Sequence, residues 1–421
     1  MQEIRKFLME SKNISKSAVI WNALSAMLNS FQTMVLLLVI TRVGNVLDAS
    51  VFVMAYAVGN LMLNIGKYGV RQFQVTDVKE KYQWKEYLSA RICSVILMLV
   101  VSIGYILYNS LLEIYTIEKS IIIFLICFMK TIEAYEDVFH GRMQQKGRLD
   151  IAGKILAIRF FVFIIGFISM YILSESLVVS VIVNVIITLF LALFLNGIVF
   201  DEFNNNEKEI KNTQWKQIMI DCFPLCICMC LMMYIANAPK YIIDTIVDEQ
   251  TQICFNIAFM PVFVISLLAN FIFQPILKRM GELWNDNKVL DFIKKIISLV
   301  FIIIIGDFVI TLIGGMIGTK ILGFLYDIEL THYNNTLMLL LIAGGMIALL
   351  NLFIMLLTTV RYQKYIIGGY ILTASGLFLL GKRILVNYGI DSLTKFFLLM
   401  LFGLMIYCVV LLVFGIKKQH N

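Results

Sequence analysis

Apolar residues run through this chain in long unbroken stretches, each separated from the next by a short polar connection. Length is the signal, because a bilayer core takes about 20 apolar residues per crossing helix. Stretches of that order fall at 17–41, 49–68, 88–109, 120–139, 151–173, 177–199, 217–242, 252–275, 291–313, 335–358, 365–381 and 394–416. The pattern predicts an all-α integral membrane protein with twelve transmembrane helices. The polar stretch 201–214 divides it into an N-lobe (1–200, spans one to six) and a C-lobe (215–421, spans seven to twelve).

The halves look related. Trp21 and Trp84 match Trp215 and Trp284 at an offset of about 200 residues, each near an expected membrane interface, where an amphipathic ring is favoured. Span two ends in Asn60, Asn64, Lys67 and Arg71, and span eight in Asn270, Gln274 and Lys278, both at helical spacing. Two parallel six-helix repeats related by a pseudo-two-fold axis along the membrane normal are expected. All four prolines (Pro224, Pro239, Pro261, Pro275) are in the second half, and the first two bracket span seven, where they can bend the helix.

Charge orients the chain. Of the 35 Lys and Arg, 28 lie at the termini or on alternate connections. The seven on the other side are Arg42, Lys119, Lys240, Lys320, Lys382, Arg383 and Lys395. Both termini are therefore expected in the cytoplasm, by the excess of basic residues in cytoplasmic loops. The loop expected near Lys382 and Arg383 fits this side least well. Sixty per cent hydrophobic and 15% charged residues exclude an ordinary soluble globule. The net charge of +7, confined to cytoplasmic connections, points to anionic lipid headgroups rather than nucleic acid.

Polar groups inside spans carry the candidate chemistry, since a charge at mid-membrane costs about 2.5–3.5 kcal/mol on insertion scales and needs a partner or water. Span four holds Lys130, Glu133, Asp137, His140 and Gln144 on one helix face. That stripe fits a water-filled cavity, or a Lys130–Glu133 pair satisfied within the lobe. Span one offers Asn22, Ser25, Asn29 and Gln32, again on one face. Arg159 lies well inside span five, and its guanidinium fork can snorkel or hold a phosphate. Asn237, Lys240 and Asp244 share a face at the outer end of span seven, and Asp307 stands alone in span nine.

Several classes are excluded or weakened. No Walker-type glycine loop occurs, so ATP hydrolysis by this chain is not expected. Three histidines without a His-Glu-x-x-His motif offer no zinc site, and no cofactor is implied. The eight cysteines lie in or at the edges of spans and read as small packing residues. A multispan enzyme would concentrate polar residues in a large loop, and the longest external connection, near 314–334, is short.

Three strings carry a resemblance: Gly69-Val70-Arg71-Gln72-Phe73-Gln74-Val75-Thr76-Asp77 after span two, Gly141-Arg142-Met143-Gln144-Gln145 with Gly147-Arg148-Leu149-Asp150 after span four, and Asn237-Ala238-Pro239-Lys240-Tyr241 in span seven. With two six-span lobes, they resemble bacterial polysaccharide flippases of the multidrug/oligosaccharidyl-lipid/polysaccharide exporter superfamily. The resemblance implies a polyprenyl-diphosphate-linked oligosaccharide moved between leaflets of the bacterial plasma membrane for surface polysaccharide assembly, by alternating access and without ATP. It implies a hydrated, cationic cleft between the lobes. Arg71, Lys130, Arg142 and Arg159 would surround the diphosphate. Asn29, Asn60, Asn64 and Lys240 are further substrate-binding candidates, and Glu133, Asp137 and Asp307 are candidates for coupling to a proton or sodium ion. Membrane lipids and other polysaccharide-assembly proteins are the expected partners. A multidrug exporter of the same superfamily is the alternative cargo reading, and a multispan biosynthetic enzyme the less favoured one.

Overall fold

The computed structural model describes residues 2–77, 81–204, 214–286, 288–360, 362 and 365–420, without the side chains of 76, 204, 266–279, 281, 282, 285, 358 and 418–420. The middle of the expected linker (205–213), Lys79, Arg361 and Lys364, and the side chains of Asn270, Gln274 and Lys278 lie outside this description. The described residues are mostly helical, joined by short turns, with no strand.

Each expected span has its helix: α2 (Ile14–Val43), α3 (Val46–Lys67), α5 (Trp84–Leu111), α6 (Ile117–Gln145), α7 (Leu149–Ser174), α8 (Leu177–Asn204), α9 (Trp215–Asp244), α10 (Glu249–Asn285), α11 (Val289–Ile313), α13 (Asn334–Thr359) and α14 (Ile366–His420). The last supplies two crossings, because Gly389 leaves helical geometry (φ 79°, ψ −176°) and divides it into arms 366–388 and 390–420. Among the described residues, nine segments are long and apolar enough to cross a membrane by length and composition alone. The two-armed α14 counts there once, and α6 and α10 complete the twelve.

Between spans the chain is more helical than the sequence suggested. Short helices α1 (Gln2–Met9) and α4 (Val70–Thr76) precede and follow the first two crossings. The connection expected near 314–334 is mostly a continuation of α11, through a π-turn at Gly314–Gly318 into α12 (Thr319–Tyr326). Lys382 and Arg383 are not in a loop either. They sit exposed on the first arm of α14, whose turn comes at Gly389, and long basic side chains there can reach toward the headgroups.

Local chemistry sets several boundaries. Asn13, Asn45 and Thr116 cap α2, α3 and α6 by accepting from the backbone N–H three residues on (3.0, 2.7 and 3.2 Å). Gln83 and Glu86 form a capping box at α5. The break between α3 and α4 uses Tyr68 and Gly69 in left-handed geometry (φ 50° and 73°). A methyl group on Gly69 would fall 2.5 Å from Leu225 Cδ2, so glycine is required there twice over.

The chain forms two compact units, Met1–Met233 and Tyr234–Asn421. The division falls inside α9, which runs helically past both Pro224 and Pro239. Its first part belongs with the first unit, where Ile218, Cys222 and Cys226 pack into a core with Tyr68, Trp84, Tyr87 and Val138. Each unit is organised around one helix. In the first, α6 packs against α3, α5 and α8; in the second, α13 packs against α10, α11 and α14. These are spans four and ten. The pairing of span two with four recurs as eight with ten, and three with four as nine with ten, which supports an internal repeat.

Candidate functional site

The first unit holds a ladder of ion pairs along α6. Helical periodicity places Lys130, Glu133, Asp137, His140 and Gln144 on one side, and α3 and α4 supply Lys67 and Arg71 opposite. Glu133 accepts from Lys130 (3.0 Å) and Lys67 (3.1 Å). Lys130 is 2% exposed and its ammonium also lies 5.5 Å from the Tyr56 ring. One turn on, Asp137 joins Arg71 (3.1 Å) and Arg91 (2.9 Å). Arg71 reaches further, donating through Nε and Nη2 to Gln144 Oε1 (3.1 and 2.9 Å).

The charge pattern of the sequence counts Arg91 among the connections, yet it is wholly buried. Its Nη1 donates to the Gly66 carbonyl (2.7 Å), which also accepts from Ser94. Sequence reasoning misses Glu136 as well. It lies 2.8 Å from Arg159 Nη1 and 3.5 Å from His140 Nε2, and accepts from Asn196 Nδ2 (2.8 Å). The Glu136/His140 spacing of four residues was the available signal. Buried charge survives here because every ion has an opposite partner.

A small cavity of about 20 Å³, room for one or two waters, is bordered by Lys130, Glu133, Arg159, Gln32 and Thr188. Thr188 Oγ1, Arg159 Nε and Arg159 Nη2 are buried without a hydrogen-bond partner among the described residues, so two residues that border the cavity carry unsatisfied polar groups. The structure thus brings Lys130, Glu133 and Arg159 together, and joins Arg71 to Asp137. Asn64 turns back on its own helix, donating to the Asn60 carbonyl (2.9 Å). Asn29 is exposed on α2, where it accepts from Gln32 (3.0 Å). Arg142 is twelve residues beyond Lys130, about 18 Å along the helix, and binds Gln145 (3.1 Å) and the Phe203 carbonyl (3.3 Å).

The strings following spans two and four meet in this unit. A methyl group on Gly141 of α6 would meet the Gln74 side-chain amide of α4. Arg71–Gln144 and Gln145 donating to the Asp77 carbonyl (2.9 Å) tie the two strings together.

The second unit has fewer charges in its spans. Lys240 is buried with its ammonium 4.8 Å from the ring centres of both Phe259 and Phe263. No carboxylate pairs with it among the described residues. On α10, the Asn256 side-chain oxygen is buried and lacks a donor among the described residues. Asp307 of α11 presses its carboxyl against Gly345 of α13, whose added methyl would fall 2.2 Å from Asp307 Cγ. Asp307 Oδ1 and Thr311 Oγ1, one turn apart, have no hydrogen-bond partner among the described residues.

The fold is similar to those of solved membrane transporters. The chain superposes on a point mutant of the Vibrio cholerae MATE transporter VcmN with a TM-score of 0.63 at 11% identity, covering 96% of this chain and 97% of that one. A Pyrococcus furiosus transporter of the MOP superfamily, described as having a binding pocket of reverse polarity, gives 0.58 at 12% identity over 99% and 98%. In sequence, the chain is similar to the capsular polysaccharide biosynthesis protein CapF of Staphylococcus aureus, 23% identical over 334 residues, 78% of this chain and 81% of that protein. No family model matches. The chain is a multi-pass membrane protein with a transporter fold.

Proposed function

We propose that this chain is a flippase that carries a polyprenyl-diphosphate-linked oligosaccharide from the cytoplasmic to the outer leaflet of a bacterial plasma membrane, for surface polysaccharide assembly. The observation that carries the reading is a surplus of positive charge inside the first unit. Five cations (Lys67, Arg71, Arg91, Lys130, Arg159) face three carboxylates (Glu133, Glu136, Asp137). Each cation has a carboxylate partner, yet the cluster as a whole carries two more positive than negative charges, a surplus that an added anion offsets. A diphosphate is such an anion, and the cavity bordered by Lys130 and Arg159, sized for one or two waters, would have to widen to admit it. The sugars and headgroup otherwise face a large desolvation barrier. The prenyl chain can remain in lipid.

The CapF similarity supports a role in polysaccharide assembly over drug export. The carboxylates a cationic drug would need, Glu133 and Asp137, are each held by two cations. In this reading transport proceeds by alternating access without ATP hydrolysis, with both termini cytoplasmic. Lys240, with no carboxylate beside it among the described residues, is a second anion contact. Glu133, Asp137 and Asp307 are the groups through which a proton or sodium ion would act, and Asn29, Asn60, Asn64 and Arg142 remain candidates for the glycan and headgroup.

The test is reconstitution in liposomes with a labelled lipid-linked oligosaccharide, scoring its exposure to a membrane-impermeant reagent. Transfer by the wild type and loss in Arg159→Met, with normal expression, is expected. Equal transfer by protein-free liposomes, or export of cationic dyes alone, refutes the reading.

A further inference from the structure

We propose that the outer face of α6, between α5 and α8, is a binding site for a phospholipid with a primary-amine headgroup. The proposal does not depend on the transported cargo. α5 and α8 both pack against α6, and the three leave a groove of about 590 Å³ walled by Leu99, Ile132, Phe139, Leu193 and Phe200. That volume lies within the range of ordinary ligand sites, about 300–1,000 Å³. The ridges beside it are apolar and exposed, with Ile96 at 56%, Val100 at 61% and Phe190 at 61%. On spanning helices such ridges meet hydrocarbon, so the groove opens to lipid chains.

Its floor is shaped by Gly197, where an added methyl would meet no atom within 4 Å. Glu136 and Asn196 border the groove, but they are bonded to each other and Glu136 to Arg159 (each 2.8 Å), so that charge is already neutralised. One end of the groove reaches Asp201, in the last turn of α8 and exposed. The other charges there are committed: Glu202 to Arg5 (2.7 Å), and Arg142 to Gln145 (3.1 Å) and the Phe203 carbonyl (3.3 Å). Asp201 has no ion-pair partner among the described residues. A chain in the groove with an ammonium at Asp201 satisfies both ends, whereas a headgroup of net negative charge would meet repulsion from the carboxylate.

The experiment is native mass spectrometry of the full chain, purified in mild detergent and exposed to equal phosphatidylethanolamine and phosphatidylglycerol. Wild type is expected to retain phosphatidylethanolamine preferentially. Gly197→Phe starts its ring from a Cβ position with open space around it and should lower occupancy of the groove about tenfold, a loss near 1.4 kcal/mol. Asp201→Asn should keep lipid binding but lose the headgroup preference. Unchanged retention in Gly197→Phe, preference for phosphatidylglycerol, or preferential capture of an added polyprenyl phosphate overturns the proposal. Should Gly197→Phe misfold, the exposed Asp201→Asn decides alone: an intact preference refutes the assignment.

Discussion

Removing the charge of Asp137 should destabilise the first unit more than any other single change of one atom type in the ladder. Its two oxygens hold two arginines, Arg91 at 2.9 Å and Arg71 at 3.1 Å. In Asp137→Asn, Arg91 is left wholly buried with only the Gly66 carbonyl as a strong acceptor. Breaking a buried pair from one side costs about 3–5 kcal/mol. For a unit of 233 residues, each kcal/mol moves the midpoint by about 2–4 °C, so a fall of roughly 6–20 °C is expected. Replacing both partners with apolar groups (Arg91→Met with Asp137→Leu) should recover most of it, because no ion is then stranded. Arg71, part exposed and still bound to Gln144, adds little to the loss. Melting in detergent at one fixed heating rate measures this, the rate being held because such unfolding is often irreversible. Glu202→Gln, which breaks the exposed Arg5 pair, is the control and should stay within about 1 kcal/mol. An Asp137→Asn midpoint equal to that control, or a double variant no better than the single one, refutes the reasoning.

Other expectations follow from particular contacts. Lys154→Met should release α1, since the ammonium binds the carbonyls of Phe7, Leu8 and Glu10 (2.8, 3.2 and 2.9 Å) at the end of that helix. Faster amide exchange over residues 2–9, with the rest unchanged, is the readout. Gly66→Val should lower the yield of monodisperse protein, because even one methyl there would fall 2.6 Å from Met98 Sδ and 2.8 Å from Ala134 Cβ. A cost of about 1–3 kcal/mol is expected from overpacking. Asp307→Asn should leave the melting midpoint near that of wild type, since its carboxyl has no ion pair among the described residues. In liposomes the same variant should lose the dependence of transfer on a proton or sodium gradient.

Spans were legible because their signal is additive over about 20 residues. The extended parts of helices were not, since Lys382 and Arg383 read as a loop whenever charge alone marks a boundary. Side-chain partners fared similarly. The face of α6 carrying Lys130, Glu133 and Asp137 follows from helical spacing within one segment. Arg91 does not, because its partners are the Gly66 carbonyl of a different helix and Asp137 of a third. Glu136 was hidden for a related reason. It lies one position before Asp137, on a different face, and its partners Arg159 and Asn196 come from α7 and α8. Periodicity reports which residues share a face, and it is silent on what the face meets.

The two units use spans four and ten in the same way, which allows the charges to be judged against an internal control. α13 is a central helix without a single Asp, Glu, Lys or Arg, and it packs through Gly344, Gly345 and leucines. A charged core is therefore not needed to build such a unit. The first unit nonetheless carries Lys130, Glu133, Glu136 and Asp137 on α6, at a desolvation cost an apolar helix avoids. Replacing the innermost pair together, Lys130→Met with Glu133→Leu, should thus preserve folding, with Lys67 (29% side-chain exposure) able to turn outward. Its melting midpoint should match or exceed that of wild type. Transfer of the lipid-linked oligosaccharide should nevertheless be lost. A variant that unfolds would assign these charges to specifying the fold, and one that folds and still transports would remove them from the mechanism.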